Sequence, residues 1–167
     1  MESERITHAF HPVFDSESRI LILGTMPSPK SRELGFYYSH PRNRFWPVLA
    51  EIFGEKIPKT PEEKENFVLR HKIALWDVLA ECDIEGASDS SIKNAVPNDM
   101  SIIFEKADIR AVFTTGAAAA KLYKKHIEPK TGIEAIALSS TSPANAAWTM
   151  DKLEQAWSAI LEYTVEV

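Results

Sequence analysis

The sequence predicts an α/β fold: three layers, α/β/α, around a central four-stranded, mainly parallel sheet. Three observations predict it. Four short apolar runs are regularly spaced along the chain. Between them lie segments whose apolar residues recur at helical spacing. No repeat, low-complexity tract or linker breaks this alternation, so one domain is expected over residues 1–167.

The elements follow in order. Arg19–Leu23 reads as the first strand. Phe45, Val48, Leu49, Ile52 and Phe53 set a helix over Arg44–Phe53, with Gly54 placed to end it. Thr60 has the form of an N-cap, with Pro61, Glu62 and Glu63 in the first turn of a helix reaching Arg70. His71–Trp76 reads as the second strand. Glu85–Pro97 holds Gly, Ser, Asp and Asn without clear period and is expected to be a long polar loop. Asn98–Ala107 suits a short helix, and Arg110–Phe113 the third strand. Thr115-Gly116 opens an Ala-rich helix to Ile127, and Ile133–Leu138 is the fourth strand. A polar loop, 139–147, precedes an amphipathic helix over Trp148–Tyr163.

Bulk properties bound the function. The 167 residues are 44% hydrophobic, enough for a sizeable core. No run of about 18 apolar residues exists, so no membrane span is expected. The N-terminal segment is charged and lacks an apolar signal core, so a cytoplasmic protein is expected. The single cysteine, Cys82, excludes an intrachain disulfide and a cysteine-based metal cage, and reads as buried filler. The net charge of −5 argues against tight, sequence-blind nucleic-acid binding but leaves room for a small basic face. Lys30, Arg32, Arg42 and Arg44 form one basic group. Lys121, Lys124, Lys125, His126 and Lys130 form a second, which reads as a solvated face.

In open α/β sheets ligands bind outside the carboxyl ends of the strands. The loops predicted there, 24–43, 77–97, 114–116 and 139–147, are all polar. Gly24–Trp46 is the most informative of them. It combines a Gly/Pro turn, the triplet Phe36-Tyr37-Tyr38, His40-Pro41, a lone Asn43 and several cations. Aromatic faces, amides and nearby cations suit a flipped nucleobase beside a phosphate backbone. The three aromatics cannot all point one way, so one or two are expected in the core. Trp46, Trp148 and Trp157 sit at helical spacing with other apolar residues and are expected there too.

Three segments carry a family likeness: GTMPS with FYYSHPRNRFW, then IALWDVLAECDIEGASDSSIKNAVPND, then SSTSPANAAW. On these, the chain resembles the uracil-DNA glycosylase superfamily, and within it the branch of DNA-deoxyinosine (hypoxanthine-DNA) glycosylases. Mismatch-specific uracil glycosylases have a very similar His-Pro-x-Asn-Arg-Phe-Trp run. The likeness spans nearly the whole chain.

The resemblance implies an enzyme that removes deaminated bases from DNA, hypoxanthine foremost, without metal or organic cofactor and as a monomer. It implies Asn43 as the catalytic amide. It implies Gly24, Thr25, Met26, Tyr38, His40 and Asp77 around the base, with Tyr38 stacking on it and Asp77 reading its edge. It implies Ser28, Lys30, Arg42, Arg44, Ser140, Thr141, Ser142, Pro143, Ala144 and Asn145 against the DNA. Two departures stand out. Met26 occupies the place where many relatives hold a polar residue that activates water. Thr115-Gly116 stands where some relatives have Asn-Gly.

The residues themselves fit this chemistry and simpler roles as well. Asn43 can donate and accept, yet it also precedes a helix and fits a cap. Asp77 can accept a ring N–H of hypoxanthine or uracil, or serve as an N-cap. His40 could stabilise a departing base if protonated, but His-Pro fits a structural turn. Thr141 fits a cap. Gly24 allows close approach of backbone to ligand. Lys30 is the one amine near the motif, and no lyase activity is expected. Rival readings are a uracil or G:U/G:T mismatch glycosylase and a noncatalytic nucleic-acid-binding module. A Ser-based hydrolase ranks last, since no G-x-S-x-G elbow is present.

Overall fold

In the computed structural model, which describes residues 3–8, 10–86 and 88–164, the four apolar runs become one parallel sheet. Its strands are β2 (Ile20–Gly24), β3 (Ile73–Asp77), β6 (Ala111–Thr115) and β7 (Ala135–Leu138), in the order β3-β2-β6-β7. Ile20, Leu21, Ile22 and Leu23 are all fully buried. Successive strand side chains point to opposite faces, so both faces of the sheet are covered. The fold is the expected α/β arrangement of a parallel sheet packed with helices.

The helices form where caps allow. Helix α2 (Phe45–Phe53) ends at Gly54, whose φ of 67° is left-handed. Helix α3 (Pro61–Arg70) starts at Thr60, whose hydroxyl accepts the Glu63 amide. Helix α5 (Ala117–His126) follows β6 through Gly116. Helix α7 (Met150–Trp157) is capped by Thr149 and packs against α2. Trp157 is fully buried, and Trp46 is buried too; Trp148 is only partly so. Cys82 is buried, and burial pushes its thiol up.

Several expectations need correction. The segment 85–97 is no loop. Strand β4 (Leu79–Glu85) and strand β5 (Ser88–Pro97) pair antiparallel, and β1 (Glu4–Thr7) pairs with β4, giving a second sheet in the order β1-β4-β5. Register shifts at three places between β4 and β5 erase the period-2 pattern, and much of β5 faces solvent. Helix α1 (Pro29–Leu34) lies inside the expected 24–43 loop. The helix expected over 98–107 is a single turn, α4 (Ser101–Phe104). A further turn, α6 (Glu128–Thr131), follows α5. The last helix is interrupted: α7 gives way to a 3-10 turn over Ser158–Ile160 and then α8 (Leu161–Thr164).

Candidate active site

The last residues of β2, β3 and β6 (Gly24, Asp77 and Thr115) open onto a cavity of about 170 Å³. Thr25, Met26 and Ser28 continue its wall from β2, and Ser140, Thr141 and Ser142 close it from the loop after β7. Tyr38 and Asn43 complete this side. Ile6, Ile84 and Gly86 of the small sheet and its hairpin form another part of the wall.

The aromatic triplet divides its labour. Phe36 stacks on Trp46, and Tyr37 is buried with its hydroxyl donating to the His11 carbonyl at 2.9 Å. Tyr37 and Tyr38 both line the cavity, and Phe36 does not. Tyr38 has the unusual backbone. Its φ of 52° is left-handed, a conformation that L side chains rarely adopt and that gathers at functional sites. One ring face lies on Phe45, with centroids 3.8 Å apart and planes 9° apart. Its hydroxyl is buried without a well-formed hydrogen bond, beside the Thr115 hydroxyl.

Burial pushes the hydroxyls of Tyr37 and Tyr38 far above the ordinary phenol range, and the nearby Asp77 charge adds to it. The unfolded chain releases these protons near pH 10, where the fold still holds them. The unfolded state then binds fewer protons, so stability is full below about pH 10 and falls as pH rises. Each phenol adds a slope of up to about 1.4 kcal/mol per pH unit. Melting temperatures taken across this range are expected to drop with pH, less steeply in Tyr38→Phe. A profile equally steep in the variant would contradict the assignment.

Asn43 does two jobs at once. Its Oδ1 accepts the Phe45 amide at 2.9 Å and the Thr141 hydroxyl at 2.8 Å. A backbone N–H can only donate, so the first contact identifies which branch of the amide is oxygen. Both lone pairs of that oxygen are engaged. Among the described residues Nδ2 has no protein partner, and Asn43 lines the cavity. The capping role therefore belongs to the oxygen and leaves the NH₂ group for the cavity.

Asp77 does not cap a helix. Val78 leads straight from it into β4. Its Oδ2 meets His8 Nε2 at 2.7 Å, and the two side chains are 4% and 3% exposed. A methyl group at Gly24 would lie 2.6 Å from Asp77 Oδ1 and 3.0 Å from the Tyr38 hydroxyl, so only glycine fits there. Gly24 and Asp77 are register partners across β2 and β3.

Arg44 is engaged within the protein. Its guanidinium donates to the carbonyls of Ser142 (3.2 Å), Asn145 (3.0 Å) and Trp148, and its amide donates to the Thr141 carbonyl at 3.0 Å. It ties the loop after β2 to the loop after β7. His40 also lies outside the cavity wall: its Nδ1 accepts the Arg42 amide at 3.1 Å, which makes it part of a turn. Lys30 is outside the wall as well, its Nζ 3.5 Å from Glu33. Arg42 is exposed.

Ser140, Ser142, Ala144 and Asn145 border an open groove beside the cavity, with Gly116 and Ala117 at the start of α5. Pro143 is in the same loop but lines neither hollow. The loop is held by its own contacts: Asn145 Nδ2 donates to the Ser140 carbonyl at 2.9 Å, and Ser142 Oγ accepts the Ala144 amide at 3.2 Å. Arg32 and Thr115, which the sequence reading noted without assigning them to the base or the DNA, line the cavity. His8, which it passed over, bonds to Asp77. No local pattern around His8 marks it.

Comparison with known proteins places the chain in a family. Residues 11–162 match the uracil DNA glycosylase superfamily. A hypoxanthine DNA glycosylase of Methanosarcina acetivorans is 32% identical over 160 residues, covering 95% of this chain and 99% of its own. One from Methanosarcina barkeri is 36% identical over 138 residues, covering 81% and 86%. A solution NMR structure from Methanosarcina acetivorans, described as a candidate uracil DNA glycosylase, superposes with a TM-score of 0.81 at 31% identity, over 95% of this chain and 98% of that one. The chain thus belongs to the uracil DNA glycosylase superfamily.

Proposed function

We propose that this chain is a monofunctional DNA glycosylase that hydrolyses the N-glycosidic bond of deaminated bases, hypoxanthine foremost, and leaves an abasic site. One domain spanning the chain carries the reaction. The observation that supports this most is the Asn43 amide, oxygen engaged and NH₂ directed to a cavity that Asp77 also lines.

Breaking the bond sends its electron pair onto the base and leaves the sugar carbon electron-poor. Water supplies the new C–O bond, and its proton balances the departing base. With both acceptor sites of Asn43 occupied, the amide can only donate, so it stabilises charge growing on the base. Asp77 Oδ1 accepts the ring N–H that hypoxanthine and uracil carry and adenine lacks at that place. Tyr38 offers its second face for stacking, worth roughly 1–3 kcal/mol against the cost of extruding the base. Met26 has no group to polarise water, in keeping with a reaction driven by departure of the base. Ser140, Ser142 and Asn145, with Arg42, suit the phosphate backbone. The hydrolysis needs no cofactor, and Lys30 outside the cavity is in keeping with no lyase step.

The test is incubation with duplexes carrying hypoxanthine, uracil, xanthine or no lesion, followed by alkali. Strand breakage at hypoxanthine, and only after alkali, is the expected outcome. Breakage confined to uracil would move the substrate, and breakage before alkali would overturn the monofunctional assignment. Folded protein that leaves every lesion intact would favour a binding module.

A further inference from the structure

We propose that His8 is a positioning residue of this site, a role that rests on the glycosylase reading above. The Phe10 amide donates to His8 Nδ1 at 3.2 Å. A backbone N–H has no lone pair to offer, so Nδ1 is the unprotonated nitrogen. The imidazole proton then sits on Nε2 and is donated to Asp77 Oδ2 across 2.7 Å. The ring is wedged among aromatics, edge-on to Phe10 at 5.7 Å and tilted on Tyr37 at 6.0 Å.

The consequence falls on the carboxylate. A free Asp side chain rotates about its last torsion and presents either oxygen. Here Oδ2 is held by His8, so Oδ1 is the oxygen left toward Gly24 and the cavity. His8 thereby sets which acceptor the base meets and in what plane. It reaches this place because β1 pairs with β4 and because the His8 amide donates to the Ala80 carbonyl at 2.6 Å. The small antiparallel sheet, which also walls the cavity with Ile6 and Ile84, thus holds the carboxylate through this hydrogen bond.

The test compares wild type, His8→Phe, His8→Gln, Asp77→Asn and the His8→Phe/Asp77→Asn double variant in single turnover on a hypoxanthine duplex. Nitrogen NMR of the wild-type imidazole accompanies the kinetics. His8→Phe is expected to slow excision roughly 10- to 100-fold, as for loss of a hydrogen bond to a charged group. The DNA concentration giving half-maximal rate is expected to stay unchanged. His8→Gln, whose amide can still donate, is expected to recover most of the rate. His8→Phe is expected to cost nothing further on the Asp77→Asn background, and the spectrum is expected to show the proton on Nε2. A His8→Phe rate within about twofold of wild type, the ordinary error of additivity, would overturn the proposal. So would an undiminished cost on the Asp77→Asn background, or a proton on Nδ1. If His8→Phe does not fold, the imidazole spectrum decides. Wild-type protein inactive on every deaminated base counts against the glycosylase reading instead.

Discussion

Asn43→Asp is expected to leave a folded protein that no longer excises hypoxanthine. The carboxylate keeps an oxygen for the Phe45 amide and the Thr141 hydroxyl, the two contacts that Asn43 Oδ1 makes now. Asp is as good a capping residue as Asn, so melting should change little. On the other branch, the NH₂ donor becomes an acceptor carrying charge of the same sign as the departing base. Losing one donor aimed at developing charge costs about 10²–10³ in rate, and the added repulsion makes the effect larger. Asn43→Ala is expected to lose both roles: a comparable rate loss together with about 1 kcal/mol of stability. Single-turnover excision read beside thermal melting separates the two. An Asp variant that is active, or that melts like the Ala variant, would show that the amide does no more than brace the loop.

Gly24→Ala is expected to be nearly as damaging, by a different route. The added methyl would stand 2.6 Å from Asp77 Oδ1, closer than real carbon–oxygen contacts allow. Asp77 cannot retreat freely, because its other oxygen is bonded to the buried His8. Tyr38, 3.0 Å away at its hydroxyl, is already in a left-handed conformation. Either the carboxylate turns out of its plane or β2 moves away from β3. Overpacking of this kind costs about 1–3 kcal/mol in stability. Displacement of a reading group by about 1 Å costs about a hundredfold in rate. Excision kinetics and melting of Gly24→Ala check both, and near-wild-type excision would mean that Asp77 Oδ1 is not the oxygen that meets the base.

Much of this was legible in the chain, for reasons that can be named. Ile20–Leu23 and Ile73–Leu75 are buried on both faces, so they stand out as unbroken apolar runs. Thr60 and Gly54 announce helix ends through local chemistry alone. Asn43 and Tyr38 fall within one short stretch whose composition is unusual, and both line the cavity. What stayed hidden depends on contacts between distant residues. His8 and Asp77 are 69 positions apart, and nothing beside His8 marks it as the partner of Asp77. The β4–β5 hairpin hides behind its register shifts. The carbonyls that Arg44 holds lie about a hundred positions later, and nothing beside it announces them.

Arg44 also bears on how such a protein searches a genome. Its guanidinium keeps its charge, since carbonyls are neutral, but its N–H groups are engaged by three carbonyls and not set out as a fork for phosphate. The net charge is −5, Lys30 lies beside Glu33, and Arg42 is the exposed arginine of the first basic group. Attraction to undamaged DNA is expected to be weak and to depend only shallowly on salt, which binding to an intact duplex at several salt concentrations would check. Visits to intact duplex are then expected to be short, with a long stay only where a base leaves the stack and fits. Selectivity would rest on residence time at the lesion, with little sliding along the backbone.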